Sequence, residues 1–235
     1  MSAIQSSCER VIGIIGGMGP EATVELMRQI IRRTPARDDA DHVRMLVDNN
    51  PRVPSRIAYL LEGGAIDPSP TLVRMARGLE QSGATMLAMP CNTAHAFAPA
   101  IRDAVGIPFV DMIDAALADV REASPGGNVR FGVLGSPALR RIGIFDKKCD
   151  GKDLQPLYSV ESDEAAALAI IRSVKMGDFG PNVLARYQAI KRALASAGAH
   201  VILVCCTEFS VLEEKLGVHE PRTLDSMSSL VSRLL

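Results

Sequence analysis

Met86-Leu87-Ala88-Met89-Pro90-Cys91-Asn92-Thr93-Ala94-His95 reads as a buried strand that stops abruptly and leads into a helix. The apolar run has the length of a strand rather than of a helix. Pro90 and Cys91 end it, and polar Asn92 and Thr93 precede a helix-like stretch. Val201-Ile202-Leu203-Val204-Cys205-Cys206-Thr207-Glu208 does the same thing again. A cysteine placed between a strand end and a helix start is a candidate thiolate, because helix N-terminal amides favour negative charge.

Further landmarks recur in order. Ile12-Gly13-Ile14-Ile15-Gly16-Gly17 matches Phe131-Gly132-Val133-Leu134-Gly135-Ser136. Gly83-Ala84 stands ahead of Cys91 as Gly198-Ala199 stands ahead of Cys206, and Gly106-Ile107 with Asp111 is echoed by Gly217-Val218 with Asp225. The offsets are 119, 115, 115 and, for the aspartates, 114 residues. One such match is common in strand-helix sequence, but four in order indicate two related halves. Such halves pack about a pseudo-two-fold axis, so equivalent strand ends face one cleft. Cys91 and Cys206 are therefore expected on its opposite walls.

The rest of the chain fits this plan. Arg10 to Ile15 is a strand running into a glycine turn, and Pro20 suits the first position of the helix that follows. Thr23, Leu26, Met27, Ile30 and Ile31 share one face of that helix, and Pro35 stops it. Met45-Leu46-Val47 is a strand, and Ser69-Pro70 is a candidate cap for the next helix, which Gly83 ends. Ile107 to Asp111 is extended. After Ser124-Pro125-Gly126-Gly127-Asn128 come a strand at 131–134, a weak one at 154–158, helices at 165–174 and 183–197, and a short helix from about Ser210 to Leu216. Alternating strands and helices argue for parallel α/β construction. The loop Asp48-Asn49-Asn50-Pro51-Arg52-Val53-Pro54 lies at the carboxyl end of a strand, where open α/β sheets bind ligands.

Composition narrows the function classes. The chain has 235 residues, 47% apolar, with net charge −1. It carries no electrostatic footprint for nucleic acid or a membrane surface. With no Trp, three Tyr and six Phe, it has little to stack on bases. No apolar run has the length of a bilayer span. Met1 to Arg10 lacks a signal-peptide core, and five cysteines without zinc spacing suit reduced thiols in the cytoplasm.

Two opposed thiols suit the removal of a proton from one face of a carbon and delivery of another to the opposite face. One sulfur must be a thiolate and the other a thiol, and they exchange roles with the hand of the substrate. The bland alternative is that both are small buried hydrophobes. Gly17-Met18-Gly19-Pro20-Glu21-Ala22 also fits a dinucleotide fingerprint, but Pro20 is unusual there and Asp48 lies beyond the expected spacing of ~20 residues. A glycine turn beside the cleft, with Met18 closing one side, is the simpler reading. Cys91 and His95 at i, i+4 could be a nucleophile and base or a pair of metal ligands, yet no third partner is evident. His95 reads as a supporting core histidine, and Asp111 and Asp225 as braces of strand ends.

The motifs Gly16-Gly17-Met18-Gly19-Pro20, Asp48 to Pro54, Met89 to His95, Cys206-Thr207-Glu208 and Asp225-Ser226 resemble the aspartate/glutamate racemase family, which uses no pyridoxal phosphate. The resemblance covers nearly the whole chain and points to its aspartate and broad-specificity amino-acid branch. It implies two pseudo-symmetric α/β domains, residues 1–109 with 219–235 and residues 110–218, each with a mainly parallel sheet flanked by helices. The active site would lie in the cleft between them. It implies racemisation of aspartate, glutamate or another small polar amino acid, no cofactor or metal, and a homodimer. Cys91 and Cys206 would be the acid/base pair. Asn92, Thr93, Thr207 and Glu208 would face the α-carboxylate and amino group, and Ala94 would also bind substrate. Arg52 and Lys175 would bind carboxylates, with Met18, Asn49, Val53 and Pro54 completing the substrate wall. Maleate isomerases and hydantoin racemases share the two-cysteine plan, and a non-catalytic two-lobed solute-binding protein is the alternative from another class. Two departures stand out. Cys205 occupies a position where the family usually has glycine, and Gly135-Ser136-Pro137 replaces a threonine-rich turn.

Overall fold

The computed structural model describes residues 10–64, 66–123, 127–149, 153–217 and 220–235. Cys8, Ser124-Pro125-Gly126, Val218 and His219, which figure in the sequence reading, fall outside them. The first half runs β1 (Val11–Gly16), α1 (Pro20–Arg33), β2 (Arg44–Asn49), α2 (Arg56–Leu61), α3 (Ser69–Gln81), β3 (Met86–Ala88), α4 (Ala98–Arg102), β4 (Phe109–Val110) and α5 (Met112–Ala123). The second runs β5 (Val129–Leu134), α6 (Ala138–Ile142), α7 (Ile144–Cys149), β6 (Leu154–Tyr158), α8 (Glu161–Lys175), α9 (Pro181–Ser196), β7 (Val201–Val204), α10 (Thr207–Leu216), β8 (Thr223–Asp225) and α11 (Ser226–Leu234).

These strands form two four-stranded sheets with the orders β2-β1-β3-β4 and β6-β5-β7-β8, every pairing parallel. The second order is the first repeated with each strand number raised by four, so the duplication read from the sequence is a duplication of topology. The match extends to side-chain packing. Gly13 pairs with Leu87, and a Cβ on Gly13 would lie 2.7 Å from Leu87 Cδ2 and 2.9 Å from Ala84 Cβ. Gly132 pairs with Ile202, and a Cβ there would lie 2.8 Å from Ile202 Cδ1 and 3.1 Å from Leu194 Cβ. Both glycines let a helix, α3 or α9, sit close against the central strand of its sheet.

Each sheet is covered on both faces, which is why its central strands are continuously apolar. In the first lobe, α3 closes a core around Leu72, Met75, Leu79, Ile15 and Leu87. The opposite face, around Ile12 and Ile14, is covered by Leu26 and Ile30 of α1 together with Met227, Leu230, Val231 and Leu234 of α11. In the second lobe, α8, α9 and α10 close one core. The other contains Ile113, Ala116, Leu117 and Val120 of α5 beside Phe131 and Phe145. Thus α5 leaves the first sheet and completes the second lobe, whereas α11 leaves the second sheet and completes the first.

That exchange differs in detail from the expected division. The sequence reading placed 219–235 with the first half, but β8 (Thr223–Asp225) pairs with β7 in the second sheet, and the first lobe is rejoined from Ser226 onward. Three other local expectations shift. Ser69 is the first helical residue of α3, and its amide is met by Asp67 Oδ1 at 2.8 Å, so Asp67 does the work assigned to Ser69. The last helix before β8 starts at Thr207 rather than Ser210. The stretch after Cys91 is a 3₁₀ helix over Thr93–Phe97, and the α-helix begins only at Ala98. Its five residues carry less dipole than the α-helix expected there.

Gly13→Ala should cost about 1–3 kcal/mol, because the added methyl meets Ala84 Cβ and Leu87 closer than carbon atoms pack. Gly132→Ala should cost less, since the end of the Ile202 side chain can turn away. Urea-unfolding midpoints of the two variants test the order.

Candidate active site

Cys91 follows β3 and Cys206 follows β7, the equivalent strands of the two sheets. Both line one cavity of about 290 Å3, together with Met18, Asn92, Thr93, Lys175, Thr207 and Glu208. The two cysteine segments are joined directly. Asn92, next to Cys91, donates from Nδ2 to the Cys205 carbonyl at 3.0 Å and to Ser226 Oγ at 3.2 Å. One bond therefore links the residue after the first cysteine to the residue before the second. Asn92 Oδ1 is buried with no hydrogen-bond partner among the described residues.

Of the residues expected at the site, eight thus line this one cavity. Asn49, Arg52, Val53, Pro54 and Ala94 are not part of it. Asn49 is the last residue of β2, paired with Gly16. Val53 and Ala94 are buried in the first-lobe core. Arg52 is exposed, with its amide donating to Asn50 Oδ1 at 3.0 Å. The loop is fixed from the other side by Gly17 (φ 92°), where a Cβ would run into the Asn50 backbone at 2.2 Å. This close approach sets Met18 at the cavity.

The two cysteines have matching surroundings with different chemistry. The Thr93 hydroxyl lies 3.5 Å from Cys91 Sγ. The Cys206 thiol donates to Glu208 Oε2 at 2.8 Å. Cys206 is the N-cap residue of α10, which favours a thiolate, yet burial, then the Glu208 carboxylate, push this thiol well above the ordinary range. Cys206 is thus held as a thiol. Lys175, the last residue of α8, places Nζ 3.5 Å from Glu208 Oε1. Its side chain is 65% exposed, so the pair binds weakly and the lysine is free to turn toward a ligand.

His95 is a support. The Met112 amide donates to Nε2 at 3.1 Å, which leaves the ring proton on Nδ1, 2.8 Å from the Cys91 carbonyl. Both nitrogens are committed, so His95 is neither a metal ligand nor a base for Cys91. Burial lowers its pKa and keeps the ring neutral. Ser210 stands 115 residues later and does the same job: it donates to the Cys206 carbonyl at 3.2 Å and bonds the Asp225 carboxylate. Asp111 and Asp225 then cap α5 and α11, accepting from the Ile113 amide at 2.8 Å and the Ser228 amide at 2.8 Å. They brace strand ends as the sequence reading proposed.

The apolar wall was not foreseen. Ile57, Met112, Leu139, Leu168, Ile171 and Met227 line the cavity beside Ser136 and Ser226. Met112 follows Asp111 directly and Met227 stands two past Asp225, so the repeated aspartates were the available signal. The four leucines and isoleucines sit on helices whose sequence gives no sign of which way they face. Cys205 is buried in the second-lobe core, its thiol directed to the Leu203 carbonyl at 3.5 Å, and it also borders the cavity.

Residues 15–234 match the family model described as Asp/Glu/Hydantoin racemase. The chain belongs to that family. It is accordingly a racemase, an isomerase enzyme. Among relatives of this racemase is the broad specificity amino-acid racemase RacX of Bacillus subtilis (strain 168), 23% identical over an alignment 227 residues long that covers 94% of this chain and 94% of that one. The aspartate racemase of Picrophilus torridus superposes with a TM-score of 0.80 at 26% identity, covering 96% of this chain and 92% of that one. The glutamate racemase of Francisella tularensis subsp. tularensis SCHU S4, solved with D-glutamate, shares the fold at a TM-score of 0.65 and 16% identity, over 96% and 80% of the two chains. Among the described residues of this racemase no helix is long and apolar enough to cross a membrane.

Asp111 also ties the lobes electrostatically. Arg102 Nη2 lies 2.6 Å and Lys148 Nζ 2.9 Å from its Oδ2. Burial works to raise this carboxyl, but the His95 ring, which takes up a proton at the low pH where Asp111 titrates, together with Lys148 and the α5 amides, outweighs it and holds Asp111 at about 2. A carboxyl depressed on folding stabilises the native state above its unfolded pKa, and that contribution is lost as pH falls through the folded value. Asp111→Asn should therefore lose about 2–4 kcal/mol at pH 7. The gap to the parent protein should narrow between pH 4 and pH 2, as read from urea unfolding at each pH.

Proposed function

We propose that the protein is a cofactor-independent amino-acid racemase that inverts Cα with Cys91 and Cys206 as its two bases. The observation that carries this reading is the Asn92 to Cys205 bond, which draws the two cysteine segments to one cavity from equivalent strand ends. One sulfur, as thiolate, takes the Cα proton. The other, as thiol, delivers a proton to the opposite face. Asn92 lines the cavity, and its Oδ1, a buried acceptor with no partner among the described residues, is proposed to take the substrate ammonium group. Lys175 and the amides at the start of α10 suit the α-carboxylate.

Incubating L- and D-aspartate in deuterium oxide under reducing conditions, followed by a panel of other amino acids, should give racemisation with deuterium at Cα. Cys91→Ala and Cys206→Ala should each abolish racemisation, a loss of at least about 100-fold. Full racemisation by either single variant, or no Cα exchange by the parent enzyme with any amino acid, would end the two-base reading.

The preferred substrates are aspartate, glutamate or another small polar amino acid. Among the described residues lining the cavity, Lys175 is the one cation and Glu208 the one anion. A dicarboxylic substrate needs a second positive charge, and Arg52, exposed on its proline-flanked loop, is the residue proposed to supply it. An arginine fork matches a carboxylate. Arg52→Ala should then raise KM for dicarboxylic substrates at least about tenfold more than for neutral ones. Equal effects on both would limit Arg52 to the α-carboxylate. Conversion of maleate, or racemisation of a hydantoin with inert amino acids, would move the protein to a neighbouring activity.

A further inference from the structure

The half-sites follow equivalent strands, but the side chains placed beside the two sulfur atoms differ. Two residues beyond Cys91 stands the alcohol Thr93, whereas two residues beyond Cys206 stands the carboxylate Glu208. Glu208 Oε2 accepts the Cys206 thiol at 2.8 Å and the Thr207 hydroxyl at 3.2 Å. Its other oxygen faces Lys175. Among the described residues, Cys91 Sγ has a hydroxyl beside it, at 3.5 Å, and no carboxylate in hydrogen-bond reach.

Resting on the racemase reading above, we propose that Glu208 is the proton relay of Cys206, and of Cys206 alone. When Cys206 is to act as base, its S–H bond breaks, the electron pair stays on sulfur, and an O–H bond forms at Glu208 Oε2. The thiolate then removes the Cα proton, and the Cys91 thiol protonates the opposite face. In the other direction the same steps run backward: Cys206 hands its proton to the substrate carbanion, the Glu208 O–H bond breaks, and that proton restores the Cys206 thiol. Geometry supports the assignment over an ammonium-binding role. Oε2 is already occupied by the thiol and a hydroxyl, while Oδ1 of the cavity-lining Asn92 has no partner among the described residues.

Steady-state efficiencies do not separate these roles. Enantiomers have equal free energy in water, so the equilibrium constant is one and kcat/KM is equal in both directions whatever Glu208 does. The half-reactions do separate them. Glu208→Gln is introduced into Cys91→Ala, which keeps Cys206, and into Cys206→Ala, which keeps Cys91. Loss of the Cα proton signal in deuterium oxide is followed by NMR for L- and D-aspartate, glutamate, serine and alanine. In the Cys91→Ala background, exchange at saturating substrate should fall about 100-fold, with half-saturation changed by less than about threefold. In the Cys206→Ala background, exchange should stay within about threefold.

An equal loss in both backgrounds, or a loss confined to half-saturation, would overturn the relay. Should neither single-cysteine variant exchange, the full two-cysteine enzyme supplies the measurement. Glu208→Gln must then shift the ratio of kcat for the two enantiomers, and an unchanged ratio overturns the proposal. Failure of the parent enzyme to racemise at all is a separate result, because it removes the reading on which the relay rests.

Discussion

The two lobes are held together by a reciprocal exchange of helices. Helix α5 departs from the first sheet to fill the core of the second lobe, and α11 departs from the second to fill the core of the first. Four apolar residues of each are buried in the core they join, at about 1.5–3 kcal/mol per large side chain. Neither sheet has both faces covered by its own half. The cleft is therefore not a gap between independent bodies. Its walls are strand ends whose spacing is set by the crossing helices, and Asn92 pins them at the level of the cysteines.

Each departure begins at an aspartate. Asp111 and Asp225 close the last strand of their sheets and cap the helix that crosses over. His95 and Ser210 reach toward those aspartates from the cysteine segments. A chain of short polar contacts therefore runs from each thiol's backbone carbonyl to the helix that ties the lobes. The backbone of this chain is duplicated and its side chains are not. His95 bonds the Cys91 carbonyl and the Met112 amide one residue past Asp111, whereas Ser210 bonds the Cys206 carbonyl and Asp225 itself.

The sheets were legible in the sequence because fully buried parallel strands are written as unbroken apolar runs such as Val11–Ile15 and Val201–Val204. That Cys91 and Cys206 follow equivalent strands was legible because the spacing of glycines, cysteines and aspartates repeats. The helix exchange was not. Helices α5 and α11 have ordinary apolar faces, and nothing in such a face names the sheet it will cover. The start of α11 was hidden for a related reason: β8 ends at Asp225 and the helix begins at the next residue, leaving no loop to mark a boundary. The 3₁₀ geometry after Cys91 follows from where the His95 ring must reach, to the Cys91 carbonyl and the Met112 amide, a constraint 17 residues distant in the sequence. The loop of Asn49, Arg52, Val53 and Pro54 reads as one motif but divides in space, with Val53 in the core and Arg52 facing outward.

The exchanged helices also bear on how a protein of this shape arises. A single ancestral half would end in a helix whose apolar face has no partner on its own sheet. Two separate copies trading that terminal helix would each complete the other, as a domain-swapped pair does. Joining such a pair end to end turns an association that depends on concentration into one that depends only on the chain. It also frees the two copies to diverge. An assembly of identical halves is bound to place the same residue beside both sulfurs, whereas a fused one can keep threonine at 93 and carry glutamate at 208.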